Sequence, residues 1–431
     1  MRAGGKRRPI AAESAGASGI IRVTRNAVAS GSLKLVRHRD LPENPMPDAP
    51  PDFLDPSRPT ANTDALYARG AQAFDAGRFG EAAQLASLAA SIEPGLPAVQ
   101  YLLGVSLLNL GRADEAVAAL QSVEPGRAAY PLSLHLEAAQ MTARARRDLA
   151  RGVTARIEMP AEGSRRSVSL IICSVTPAKL QRTVARYRTL LGSALAEVIH
   201  IADATSLCEG YNRAGSRAVG DIMLFSHDDI VVVSPDFSAK LFATLDAHDF
   251  FGVAGSTRLS GPSWNDSGWA YNRGQIAYPH GDGSMTVSVY GPGGRVTENM
   301  QVADGLFLAC RREVFDRVHF DEENFDGWNL YDLDFSYSVW KAGFRTCVRS
   351  DLLVAHESSG NYGPQWRRYA DRFIGKWRDE IGPAVLTDPA ELPQQRLQSE
   401  EEWRLFAQYL FDAREAAAQG EPPTGPLPGH R

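Results

Sequence analysis

From Ala65 to about Gln140, small and apolar residues recur at a fixed distance. Gly70 and Gly104, Gly77 and Gly111, Arg78 and Arg112, Glu81 and Glu115, and Ala82 and Ala116 are each thirty-four residues apart, the length of a two-helix unit. Gly70 and Ala82 are small where the two helices of a unit must approach, Gly77 falls at the turn between them, and Pro94 stops the first unit. A helix from Pro131 to Ala150 is expected to cap the pair. Two units and a cap are close to the smallest stack that holds together, so the module is expected to lean on its neighbour. Beyond Ser167 the period changes. VSLIICSV, residues 168–175, is short and apolar on both faces, as a central parallel strand should be. A helix over Pro177–Leu191 follows, then a strand EVIHIAD ending at Asp203, a helix holding Tyr211, Asn212 and Ala218, and a strand DIMLFS that runs into His227, Asp228 and Asp229. This βαβαβ order predicts a doubly wound sheet with ligands at the carboxyl ends of its strands.

The flanks read differently. Seven prolines between Pro42 and Pro59 exclude helix and central strand, so residues 1–62 are expected to be a disordered leader. Up to Asp40 the leader carries nine Lys or Arg and two acids, the composition of a transit-like or anionic-surface arm; the alternative is translation starting at Met46. Helical repeats are expected over 63–150 and an α/β domain over 165–384. Residues 385–431 are expected to hold an amphipathic helix, with Trp403, Phe406, Leu410 and Phe411 docking on the protein itself, and a disordered tail after Gly420. The glycines between Gly281 and Val296 lack the context of a phosphate loop and read as turns flanking a strand TVSVY.

With 431 residues, 44% hydrophobic and 23% charged, the chain has room for two or three ordinary folded domains, and collagen-like, fully disordered and disulfide-scaffold classes are excluded. Lys and Arg number 46 against 51 acids, a net charge of −5. That balance argues against nucleic acid as a partner held by a basic field, so an acidic ligand must be gripped locally. Cys173, Cys208, Cys310 and Cys347 form no close pair and read as reduced thiols. No apolar run reaches the roughly eighteen residues of a membrane span. The protein is expected to be cytoplasmic, with a peripheral place on the inner face of the membrane as the variant of that expectation.

Three constellations carry chemistry. His227-Asp228-Asp229 follows the third strand, where adjacent carboxylates stay ionised most easily with a cation between them and the ligand; the bland alternative is a solvated acidic turn. FDGWNLYDLDFSYSVWKAGF, residues 325–344, places Asp332 and Asp334 at the start of a helix, where caps are ordinary. The aromatic neighbours Trp328 and Tyr331 suggest a desolvated carboxylate of raised pKa, fit for a general base, and ring faces suited to a sugar. His356 ends a short apolar strand and, with Asp229, would give a mixed oxygen and nitrogen site suited to Mn²⁺ or Mg²⁺.

These motifs carry two resemblances. The thirty-four-residue units resemble the tetratricopeptide repeat, with Ala73 and Leu107 where that family usually has an aromatic; such a module implies a protein partner, or equally a structural adaptor. From about Ser167 to Trp377, half the chain, the ordered set HDD, DGLFLACRREVF, FDGWNLYDLDF, VAHESSG and FIGKW resembles a family 2 glycosyltransferase domain of the GT-A fold. The resemblance implies an α/β fold with a Rossmann-like mixed sheet behind an all-α module, and an inverting transfer of sugar from a nucleotide-sugar donor to a hydroxyl of a glycan, lipid-linked or protein acceptor. It implies Asp229 and His356 as ligands of a divalent metal, Mn²⁺ or Mg²⁺, and Asp332 as catalytic base. Donor contacts fall to Cys173, Ser174, Asp203, Asn212, Asp228, Asp304 and Gly305, and the acceptor side to Trp328 and Asp334. For Asn212 the alternative is a loop brace, and for Asp304-Gly305 a simple turn. His227 and Tyr331 depart from the usual acids, which keeps open a second reading, an inactive transferase-like domain in an interaction scaffold. A nucleotidyltransferase would want a basic loop after the first strand, where only Lys179 stands. Trp264, Trp269 and Tyr271 read either as an acceptor groove or as packing.

Overall fold

The thirty-four-residue period folds as two helix pairs, α1 (Pro59–Asp75) with α2 (Phe79–Ile92) and α3 (Pro97–Asn109) with α4 (Ala113–Gln121), followed by α5 (Leu132–Leu149). The structure is a computed structural model that describes residues 59–123, 131–159, 166–358, 360, 362–384 and 393–420. Gly77 and Gly111 both turn with φ of 73°, a left-handed conformation that glycine adopts without steric cost. A Cβ on Gly104 would lie 2.5 Å from Leu120, so glycine sets how closely α3 approaches α4. Helix α1 begins at Pro59 and Asn62 is buried, so residues 59–62 belong to the helical module and not to the leader, because proline is well tolerated in the first turn of a helix. The remainder of the leader and the tail beyond Gly420 lie outside the described residues.

The second part runs β1 (Val168–Cys173), α6 (Pro177–Leu191), β2 (Leu195–Ile201), α7 (Leu207–Gly215), β3 (Ile222–Ser226), β4 (Ile230–Val232), α8 (Phe237–Ala247), β5 (Phe250–Gly252) and β6 (Ala254–Ser256). It continues with β7 (Asn272–Pro279), β8 (Met285–Tyr290), β9 (Val296–Glu298), β10 (Val302–Ala303), β11 (Phe307–Arg311), α9 (Arg312–Arg317) and α10 (Tyr331–Lys341). It closes with β12 (Thr346–Arg349), β13 (Val354–His356), α11 (Pro364–Trp377), β14 (Gln394–Leu397) and α12 (Glu400–Ala418). One sheet has the order β2-β1-β3-β11-β5-β12-β9. Its β1 is parallel to both β2 and β3, whereas β11 lies antiparallel on β3. The sheet is therefore mixed, behind an all-α module, the fold class expected from the sequence. A second sheet has the order β10-β6-β7-β13-β4, with β8 on β7 and β14 on β8. Phe225 packs with Phe335 on one face of the first sheet and Phe307 with Phe237 on the other, each ring worth roughly 1.5–3 kcal/mol of burial.

The C-terminal segment is built into this domain. Trp403, Phe406, Leu410 and Phe411 are buried, as the amphipathic pattern predicts, and the indole of Trp403 donates to Gln275 at 2.8 Å. Strand β14 was not foreseen, since its Gln394–Leu397 sequence is mostly polar, yet it pairs antiparallel with β8. Helix α5 leans on the same elements. Arg146 donates to the Glu402 carboxylate at 2.7 and 3.0 Å and to the Gly111 carbonyl at 2.5 Å, and Thr142 donates to Gln395 at 2.5 Å. Tyr409 of α12 donates to Asp148 at 2.9 Å.

Glu402 is 2% exposed, so deleting its cation leaves a buried carboxylate with the Gln398 N–H at 2.7 Å but no opposite charge. Arg146→Ala is expected to destabilise the protein by about 3 kcal/mol, and Glu402→Gln by less. Chemical denaturation monitored by Trp fluorescence checks this; equal midpoints for Arg146→Ala and the wild type would show that the pair does not join the two parts.

Candidate active site

The carboxyl ends of the three parallel strands meet in a cleft. Cys173 to Thr176 from the end of β1, Ile201, Ala202 and Ala204 from β2, Asp228 from beyond β3, and Trp328 enclose a volume of about 210 Å³. Ser174 crosses the cleft floor, its hydroxyl donating to Asp228 at 2.5 Å. Gly210 at the back has no room for a side chain, because a Cβ there would sit 2.5 Å from the Cys173 sulfur. Burial foremost pushes the Cys173 thiol up to about 12, so it is a neutral wall of the cleft and not a nucleophile. Trp328 is 46% exposed and offers a ring face at the rim, the surface on which planar bases and sugar faces stack.

Beside the cleft lie His227, Asp229 and His356. Antiparallel pairing of β4 with β13 sets His356 opposite Ile230, which brings it next to the loop after β3. The His356 Nε2 is 3.2 Å from Asp229 Oδ1 and 3.5 Å from His227 Nδ1, and His227 Nδ1 is 3.9 Å from Asp229 Oδ1. Burial works to raise the Asp229 carboxyl, but the hydrogen bond and charge of His356 prevail and hold it well below the usual carboxylate range. Burial, followed by the charge of His356, lowers His227 to about 4, which disfavours its charged form. Lys179, in the first turn of α6, reaches Asp229 Oδ2 at 3.2 Å.

The donor set fits a divalent cation. The three side chains bring ligand atoms to 3.2, 3.5 and 3.9 Å of one another, a little wider than the spacing of about 3 Å between neighbouring ligand atoms around a cation with bonds of roughly 2.1 Å. One carboxylate and two imidazoles are suitable donors for Mn²⁺ and its neighbours.

Across from this cluster, α10 begins abruptly. Leu330 precedes it with φ of 64°, a left-handed conformation that is unfavourable for a branched residue and is typically retained at working sites. The helix start presses on Gly305, where a Cβ would lie 2.2 Å from the Tyr331 hydroxyl. The Gly305 N–H donates to Asp332 Oδ2 at 2.8 Å. Asp304 is held by the Trp264 indole at 2.9 Å and the Leu306 N–H at 3.0 Å. Burial, reinforced by the charge of Asp304, pushes the Asp332 carboxyl up to about 7. The Tyr331 hydroxyl donates to the Gly305 carbonyl at 3.1 Å and lies 2.7 Å from His227 Nε2.

Other candidates are placed elsewhere. Asp334 is 1% exposed and accepts from Lys376 at 2.7 Å and from the Trp377 indole at 2.9 Å, so its carboxylate is turned into the core and not toward an open surface. Asn212 spends both ends of its amide on the Phe320 backbone, at 2.8 and 3.0 Å, so it braces a loop. Asp203 points outward and pairs with Arg213 at 2.9 Å, although its neighbours Ala202 and Ala204 line the cleft. Trp264 is buried against Tyr290 and belongs to packing. Sequence reasoning missed the contact of Lys179 with Asp229 and the joining of Tyr331 to His227, both made across elements distant in the chain. Their one advance signal was that His227 and Tyr331 each replace an expected acid.

The model of a glycosyltransferase-like family matches residues 169–377, and that of the tetratricopeptide repeat matches residues 73–139. No curated protein matches the chain. Among solved structures, the chain is similar to a mannosyltransferase from Pyrobaculum calidifontis in complex with GDP-Man and Mn²⁺, at 14% identity over 72% of this chain and 87% of that one, with a TM-score of 0.34. It is also similar to GalNAc-T7 with UDP, GalNAc and Mn²⁺, at 14% identity over 62% of this chain and 53% of that one, with a TM-score of 0.34. A third likeness is to A197 from STIV, at 14% identity over 45% of this chain and 86% of that one, with a TM-score of 0.28. Among the described residues, no helix is long and apolar enough to cross a membrane. Residues 169–377 are a domain of the glycosyltransferase-like family, carried behind a tetratricopeptide-repeat module at residues 73–139.

Proposed function

We propose that the protein is a metal-dependent, inverting glycosyltransferase that moves a sugar from a nucleotide-sugar donor to the hydroxyl of a glycan, lipid-linked or protein acceptor. The observation that carries this reading is a carboxyl at Asp332, raised to about 7, one residue along the helix from the tyrosine that touches the His227–Asp229–His356 cluster. An acid that shares its proton near neutral pH is matched to removing one from an attacking hydroxyl. A cation held by Asp229 and His356 would supply positive charge for the departing diphosphate. Ser174 and Asp228 line the cleft for the nucleotide, and Trp328 offers its ring at the rim. The Gly305 N–H holds Asp332 in place by its hydrogen bond to Oδ2. The helical module, fastened through α5, is a place for a protein partner or for the acceptor. His227 and Tyr331, on which the inactive-scaffold reading rests, are hydrogen-bonded to each other at the edge of the cluster.

A thermal-shift panel of nucleotide sugars with and without Mn²⁺ tests the proposal. A donor at a hundred times its Kd should stabilise the fold by about 2.7 kcal/mol, and only when Mn²⁺ is present; no shift with any donor would sink it. With that donor, Asp332→Asn is expected to reduce kcat on the order of 10²–10⁴-fold while leaving the donor-induced shift intact. The carboxylate is the active form of a base, so wild-type kcat should climb as pH rises through about 7 and fall about tenfold per pH unit below it. Asp334→Asn is expected instead to cost about 1–3 kcal/mol of stability with kcat per folded molecule preserved, as denaturation and initial rates together would show.

A further inference from the structure

The thirty-four-residue period does not stop with the second helix pair. Pro97 in the first turn of α3 is followed by Pro131 just before α5, Gly70 and Gly104 by Ala138, Gly77 and Gly111 by Ala145, and Arg78 and Arg112 by Arg146. By register, α5 is the first helix of a third repeat. Its second helix does not follow in sequence. Gly77 and Gly111 turn the chain back in a left-handed conformation, whereas Ala145 is helical and α5 runs on to Leu149, because alanine adopts that turn only at a steric cost.

The place of the missing helix is filled by α12. In the first repeat Arg78 donates to Glu81, the third residue of α2, at 2.7 Å. In the second, Arg112 donates to Glu115, the third residue of α4, at 2.7 Å. Arg146 donates to Glu402, the third residue of α12, also at 2.7 Å. The small residue of each first helix faces its second helix in the same way: Gly70 lies against Leu85, Gly104 against Leu120, and Ala138 in one cluster with Trp403, Phe406 and Leu410. Glu137 near the start of α5 pairs with Arg414 near the end of α12, and Arg146 with Glu402 at its start. The two helices therefore run antiparallel, as helices joined by a short turn do.

We propose that α12 is the second helix of this third repeat, so that the helical module takes the C-terminal segment of its own chain as its partner on the α5 face. The inference goes beyond the transferase reading and does not rest on it. The match to the repeat family ends at residue 139, inside α5, because the residues that complete the unit come more than two hundred and fifty positions later. The other side of α12 is fixed to the second sheet through Trp403 and Gln275. The stack thus ends on the transferase-like domain, which serves as the cap that a short repeat array requires. A separate protein partner, or the acceptor, is left with α1 to α4.

Hydrogen exchange of the full chain, read by mass spectrometry, tests this. Each repeat is held by its neighbours, so opening α12 should expose α5 and then α4. In Glu402→Arg, exchange in α12 and α5 is expected to rise about 10²–10³-fold, with a smaller rise in α4 and none in β1 to β3. Glu115→Arg reverses the matching contact of the second repeat, which is exposed, and should change exchange in α3 and α4 by less than about fivefold. If Glu402→Arg does not fold, the wild-type chain cut at a protease site placed within residues 385–392 decides. The piece from residue 393 onward should stay bound after cutting, and removing it with mild denaturant should unprotect α5. Wild-type protection of α5 in Glu402→Arg, or in the cut chain once the piece is gone, overturns the inference and assigns the C-terminal helix to the transferase-like domain alone.

Discussion

A carboxylate taken out of water must be compensated by positive charge or by hydrogen-bond donors, and the need of Asp229 for that compensation organises the region around the cleft. Asp229 is buried at the end of a central strand. Its partners come from three directions: His356 from β13, Lys179 from α6 and His227 from its own loop. No single segment supplies them. The antiparallel pairing of β4 with β13 brings His356 back to the loop, and the short turn from β1 into α6 places Lys179 beside it.

The same physics acts in the opposite direction on Asp332. There, burial and a second carboxylate at Asp304 disfavour the charge, and backbone N–H groups offset them only in part. Two acids within one region thus have their proton affinities driven apart, Asp229 downward chiefly by the hydrogen bond and charge of His356 and Asp332 upward by desolvation. Paired environments of this kind separate a group that holds charge from a group that moves a proton. The left-handed Leu330 and the close pass of Tyr331 over Gly305 are the local distortions that hold the second acid in place.

The helical module is joined to the transferase-like domain by polar contacts as well as apolar ones. Arg146 bridges the turn at Gly111 and Glu402 of α12, and Thr142 reaches Gln395 of β14. Both contacts depend on the C-terminal segment being folded against β8 and Gln275. Two repeats that are small for an independent stack are thereby completed by elements from the far end of the chain.

Much of this was legible in the residues. The glycines thirty-four apart specify a two-helix unit because their turns need a left-handed backbone, and the apolar runs before Cys173 and Ser226 specify parallel strands because both of their faces are buried. The positions of Asp229, His356 and Asp332 at strand and helix ends were visible for the same local reasons. Other matters are settled by long-range geometry. Asp334 and Asp332 are two residues apart on one helix, and only the packing of α11 turns Asp334 into an ion pair with Lys376. Asn212 reads equally well as a ligand contact until Phe320 arrives beside it. Strand β14 has too little apolar character to announce itself and forms because β8 presents an edge. Local sequence determines which backbone shapes and buried faces are available, whereas the partner that a polar side chain finds depends on which distant segment the folded sheet carries to it.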